Sequence, residues 1–103
     1  MPGRIDNVNE FIKRELSNIV LFELQDPRLK IVTITAVEMS PDLRYAKASF
    51  SVLGTKKQIA EATEGLSSAR GMIRKLVGQR NNIRYTPEIK FVYDRSLEYS
   101  TRI

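Results

Sequence analysis

Residues 44 to 52 alternate cleanly. Ala46, Ala48, Phe50 and Val52 point one way, and Tyr45, Lys47, Ser49 and Ser51 point the other. A period of two with one apolar face marks a half-buried β-strand. Just upstream, residues 31–39 form a run rich in β-branched side chains and of strand length. Only Ser40-Pro41-Asp42-Leu43 separates the two. Proline presets φ and the aspartate can accept from nearby amides, so these four residues make a turn and the strands a hairpin.

The apolar face of that hairpin needs cover, and two helical stripes can supply it. Between residues 4 and about 24, Ile5, Val8, Ile12, Leu16, Ile19 and Val20 recur at three- and four-residue steps. Asn7, Glu10, Lys13, Arg14 and Asn18 fall off that stripe. Asp26-Pro27 stops the helix, because a residue before proline is pushed out of the α region. After the hairpin, Gly54-Thr55 ends the strand and Thr55 is placed to cap the next helix. The second stripe runs through Ile59, Ala62, Leu66, Ala69, Ile73 and Leu76. Gly65 and Gly71 interrupt it, each at about 1 kcal/mol against alanine. Ala69-Arg70-Gly71 reads as a break between two half-helices, Gly78 as the C′ residue, and Asn81-Asn82 as loop. Pro87 opens a last strand, with Ile89, Phe91 and Tyr93 opposite Glu88, Lys90 and Val92.

The predicted order is therefore helix, strand, strand, helix, kink, helix, strand. It gives an α+β sandwich: a three-stranded mixed sheet with the helices on one face. The other face would carry Thr33, Thr35, Lys47, Ser49, Ser51 and Lys90 to solvent. Residues 1–103 read as a single domain, with residues 95–103 as a short, flexible tail.

Charge is uneven along the chain. The 103 residues carry a formal charge of +5, and six bases against one acid fall between positions 70 and 90. Outside that stretch eleven bases balance eleven acids. A neutral scaffold with one basic segment suits a polyanionic partner. Histidine and cysteine are both absent. That removes the commonest general base, the commonest metal ligand and all thiolate chemistry. The acids Asp26, Glu38, Asp42, Asp94 and Glu98 are scattered without metal-ligand spacing. No catalytic residues, no metal and no cofactor are expected, and the chain reads as a binding protein, not an enzyme. No apolar run reaches membrane-spanning length, and the first residues lack the apolar core of a signal peptide. A monomer in the cytoplasm is expected.

The candidate contacts follow from the basic segment. Arg70 and Arg74 stand one helical turn apart, with Lys75 a step around. Arg80 and Arg84 are expected in the loop beyond Gly78, and Lys90 on the last strand. Arginine suits phosphate because its planar fork bonds it bidentately. Gly71 reads either as a tolerated or close-packing glycine or, with Ala69, as a kink that turns helix amides toward an anion; Ala69 would leave room for the backbone of a polyanion, and Ser68 can cap the second half-helix. Lys13, Arg14, Arg28 and Lys30 are secondary candidates. The plain alternative is a solvated helix face, the ordinary fate of a charge run.

The order of elements resembles the KH-type RNA-binding fold in its bacterial arrangement. Its usual phosphate clamp, a Gly-x-x-Gly loop, is missing: the glycines stand at 3, 54, 65, 71 and 78, and no two are three apart. In its place stands Ser68-Ala69-Arg70-Gly71-Met72-Ile73-Arg74. This Ala-x-Gly break resembles the ribosome-binding factor A family of bacterial cold-shock ribosome-maturation factors. Arg4-Ile5, the Glu23-Leu24-Gln25-Asp26-Pro27-Arg28 segment, the hairpin between Val32 and Lys47, Pro87-Glu88-Ile89-Lys90-Phe91 and Asp94-Arg95-Ser96 fit the same resemblance. It implies binding to the 30S ribosomal subunit through 16S ribosomal RNA, and a role in late processing of that RNA. Members of the family often continue past the last strand with a helical or basic tail, and this sequence ends at Ile103. A protein-interaction module that uses the exposed sheet face is the competing expectation.

Overall fold

The hairpin pairs as the alternation dictates. In the computed structural model, which describes residues 4–81 and 86–95, strand β1 (Val32–Met39) runs antiparallel to β2 (Tyr45–Val52). Strand β3 (Glu88–Tyr93) joins the other side of β2 in parallel, so β2 is central and the order is β1-β2-β3. Helix α1 (Arg4–Asn18) precedes the hairpin, and helix α2 (Lys56–Asn81) crosses from β2 to β3. The mixed sheet and the single helical layer match the sequence expectation.

One core lies between that sheet and the helices. Ile12, Leu16, Ile19 and Val20 meet Ala62, Leu66, Ile73 and Val77 over the inward residues of the strands. Phe50 is fully buried at the centre, with the Tyr93 ring edge-on at 5.7 Å between centroids. Aromatic pairs favour this arrangement over face-to-face stacking.

Strand β1 needs a correction of phase to bury its apolar residues. Val32 and Ile34 face the core, and so do Val37 and Met39, an odd number of residues later. An irregularity between Ile34 and Ala36 supplies the extra residue, which is the work of a β-bulge. Without it the second half of the strand would turn its apolar side chains to water. The bulge residue Thr35 donates its hydroxyl to Asp94 Oδ2 at 2.9 Å. On the outward face of β2, Ser51 is buried rather than solvated, at 6% exposure. It is a short side chain on the central strand, flanked on both sides by neighbouring chain.

The turns are closed by side chains. Ser40 Oγ donates to Asp42 Oδ1 at 2.6 Å and accepts from the Tyr45 amide at 3.0 Å. The Arg44 amide donates to the same Asp42 oxygen at 3.1 Å. The Ser40 hydroxyl and then that amide hold the Asp42 carboxyl below its ordinary range. Leu43 completes the turn in the left-handed region, with φ of 61°.

The helix ends differ from expectation in three places. The first helix does continue to Glu23, but residues Ile19–Glu23 form a wider π-turn, closed by the Leu24 amide on the Ile19 carbonyl at 3.1 Å. The second helix starts at a reciprocal cap: the Gln58 amide donates to Thr55 Oγ1, and Gln58 Oε1 accepts from the Thr55 amide. It then runs unbroken through Ala69-Arg70-Gly71 to Asn81, so the two expected half-helices are one. Ser68 therefore stands mid-helix and caps nothing. Gly78 is not a C′ residue either, and Arg80 and Asn81 are helical. A Cβ on Gly78 would stand 2.5 Å from Thr86 Oγ1, so that glycine serves the close approach of the segment leading into β3. The tail from residue 96 onward lies outside the described residues.

Candidate nucleic-acid interface

Helix α2 divides lengthwise into a buried and an exposed side. Ala62, Leu66, Ile73 and Val77 are buried, and the half-buried Ala69 also packs on the core. Ala69 thus faces mainly inward, toward the core rather than toward a ligand. With about 100° per residue, the outward side at this level comprises Arg74, Gly71, Lys75, Ser68 and Met72 in angular order. All five are exposed, and Arg70 is exposed at the edge next to Arg74. A Cβ built on Gly71 has no heavy atom within 4 Å, so the glycine is a low point on the helix surface. It serves no packing contact.

The charges here are unneutralised. Between residues 65 and 81 the helix contains no acid. Among the described residues, Arg70, Arg74 and Lys75 have no carboxylate at ion-pair distance. Arg74 donates from Nη2 to the Thr86 carbonyl at 3.2 Å, which ties its guanidinium toward the β3 side of α2. Arg70, Arg74 and Lys75 lie more than a turn before the end of the helix at Asn81, beyond the reach of its dipole, which therefore accounts for neither their sign nor their clustering on the exposed side. Lys56 and Lys57 sit at the opposite end, where a cation is unfavourable.

The other candidates are placed elsewhere. Lys90 is exposed on the sheet face away from the helices, in register beside Lys47. It cannot join Arg70 and Arg74 on one surface. Lys13 is half buried and Arg14 exposed on α1. Arg28 is a structural residue. Its Nη2 and Nε bind Asp26 at 2.7 and 3.1 Å, and the Asp26 side chain also accepts from the Arg28 amide. The hydrogen bonds from Arg28 hold the Asp26 carboxyl below its ordinary range, and the carboxylate raises the guanidinium, with Glu64 and Glu61 adding to it. Lys30 donates to the Leu21 carbonyl at 3.1 Å, beside an apolar hollow of about 330 Å³ between the π-turn and edge strand β1. The Arg80 side chain and the whole of Arg84 lie outside the described residues.

The sequence matches the family description "Ribosome-binding factor A" over residues 4–103. The chain belongs to the ribosome-binding factor A family. It is 49% identical to ribosome-binding factor A of Halothermothrix orenii over 100 residues, which is 97% of this chain and 82% of that protein. It is 51% identical to the Acetivibrio thermocellus protein over 96 residues, 92% of this chain and 78% of that protein. The crystal structure of ribosome-binding factor A from Thermus thermophilus shares the fold, with a TM-score of 0.79, 23% identity, and coverage of 91% of this chain and 100% of that one. A homology model of the Thermus thermophilus factor, fitted into a cryo-electron microscopy map of a 30S–ribosome-binding factor A complex, superposes with a TM-score of 0.71 at 25% identity. It covers 84% of this chain and 91% of that one.

Arg70 and Arg74 lie on one helical face with Lys75 a step around, as their spacing predicts, whereas Ser68 and Gly71 are exposed as mid-helix residues and not as the expected cap and kink. Met72, which the sequence pattern did not single out, is 54% exposed on the flank away from Arg74. Its position off the Ile73–Leu76 stripe was the available signal. Among the described residues, no helix is long and apolar enough to cross a membrane.

Proposed function

We propose that this protein is a ribosome-assembly factor that binds the small ribosomal subunit through 16S ribosomal RNA and assists its late maturation, without catalysing a reaction. The single domain acts in the cytoplasm, where that RNA is. The observation that carries the reading is the outward side of α2: Arg70, Arg74 and Lys75 exposed, with no acid at ion-pair distance among the described residues, around a glycine with open space above it. Such a surface gains affinity by releasing counterions from phosphates. The 30S complex described for the Thermus thermophilus relative supports the choice of partner.

The uninterrupted helix favours contact through side chains. Every amide around Gly71 is used within the helix, so phosphate is met by side chains and not by freed backbone donors. Recognition is of folded RNA by shape and phosphate position.

Affinity for purified 30S subunits is to be measured against salt for the wild type and for Arg70→Ala with Arg74→Ala. The double variant is expected to bind more weakly and to flatten the log–log salt slope by about 1.5 to 2, near the value for two lost phosphate contacts. An unchanged affinity and slope refutes the assignment.

A further inference from the structure

We infer that Met72 makes an apolar contact with a nucleoside of the bound RNA, so that α2 grips a strand by phosphate on one side and by ribose or base on the other. The inference rests on the RNA-binding reading and deepens it.

The outward side of α2 has two chemically different flanks. On one side of Gly71 stand Arg74 and Arg70, with the Arg74 guanidinium drawn toward Thr86. On the other side come Lys75 and Ser68, and beyond them Met72 at the edge, with 54% of its surface in water. The low point at Gly71 lies between them. An RNA strand has the same two-sided character: charged oxygens along one edge, sugar carbons and base faces along the other. Laid across Gly71 with its phosphates toward the arginines, it turns its apolar edge to Met72.

The alternative cause for an exposed methionine is chance, since single apolar residues are common on surfaces. Here the residue is the one large apolar side chain among the exposed residues from 67 to 75, the others being Ser67, Ser68, Arg70, Gly71, Arg74 and Lys75. The thioether is flexible and polarisable, and methionine is among the side chains that proteins press against bases. The nearest acids on the helix, Glu64 and Glu61, stand seven and ten residues before Gly71, about 10 and 15 Å along the axis, and attract Arg28. At such distances exposed charges are largely screened by salt.

The test separates the apolar contribution from the electrostatic one. Full-length Met72→Ala and Met72→Leu are compared with the wild type in 30S binding across a salt series, beside Arg70→Ala. Alanine, leucine and methionine are all good helix formers, so thermal unfolding is expected to be the same in all three. Met72→Ala is expected to weaken binding by about fivefold to tenfold at every salt concentration, in line with loss of one base or sugar contact, with no change of slope. Met72→Leu is expected to retain most of the affinity, and Arg70→Ala to flatten the slope. Wild-type affinity in Met72→Ala overturns the inference while a flattened slope in Arg70→Ala leaves the phosphate site standing. A wild type whose 30S binding ignores salt overturns both.

Discussion

Two glycines in the same helix are expected to respond differently to alanine. Both gain about 1 kcal/mol of helix propensity from the change. At Gly71 nothing offsets the gain, because a Cβ there meets no heavy atom within 4 Å. Gly71→Ala is therefore expected to stabilise the protein by about 1 kcal/mol, a rise of roughly 4 to 8 °C in the unfolding midpoint for a domain of this size. At Gly65 a Cβ would stand 3.0 Å from Leu29 Cδ2 and 3.2 Å from Asp26 Oδ2. Neither neighbour can yield cheaply: Leu29 is fully buried and Asp26 is held by the Arg28 fork. Overpacking of this kind costs about 1 to 3 kcal/mol, so Gly65→Ala is expected to be neutral to destabilised by about 2 kcal/mol. Urea or thermal unfolding followed by circular dichroism gives both numbers. Binding to 30S subunits adds the functional half. If a strand approaches the helix closely at Gly71, the stabilised Gly71→Ala variant loses affinity. A Gly71→Ala protein less stable than the wild type, or a Gly65→Ala protein more stable than it, refutes the reasoning about packing. Full affinity in Gly71→Ala refutes close approach at that turn.

Two further outcomes follow from the caps. Thr55→Ala removes the hydroxyl that accepts from the Gln58 amide and is expected to cost about 1 kcal/mol in urea unfolding, since α2 then starts without its side-chain cap. The Asp26 carboxyl lies below its ordinary value of 3.8 because of Arg28, so its contribution to stability is present above that pH and is lost as the pH falls through the folded value. Asp26→Asn is expected to be less stable than the wild type near neutrality, and its urea midpoint is expected to fall less between pH 5 and pH 3.

The strand alternation and the two apolar stripes were enough to read the fold, because periods of 2 and 3.6 bury one face whatever the loops do. The details that escaped have local physical causes. The phase slip in β1 is visible in the sequence, where Val32 and Ile34 are out of step with Val37 and Met39, and only a bulge reconciles them. The helix break was expected from glycine's propensity at Gly71, but a cost of about 1 kcal/mol is small beside the burial of Leu66, Ile73 and Val77 along one helix. Tertiary packing overrode it. Gly78 read as a helix terminus for the same reason, and its real service is to admit Thr86. The basic segment was legible as charge and not as a surface. A strand turns successive residues to opposite faces, so Lys90 left the cluster that its sequence neighbours form.

The absence of a Gly-x-x-Gly loop and the continuity of α2 bear on the same point. A clamp of that kind offers backbone amides, whose positions are fixed and whose charge is partial. An unbroken helix withholds those amides and offers instead long cationic side chains around a glycine. Long side chains adapt to the spacing of phosphates but carry no sequence code. Among the described residues of this surface, fixed geometry is found at Arg74, which the Thr86 carbonyl holds, and at Gly71, whose missing side chain leaves open space above the helix. If RNA is the partner, selectivity for one site would have to come from shape, through the distance between those two points and the basic edge at Arg70. Electrostatic attraction alone would hold this surface to any polyanion. On the proposed reading, a close approach at Gly71 and an apolar contact at Met72 would let it prefer one fold of RNA over another.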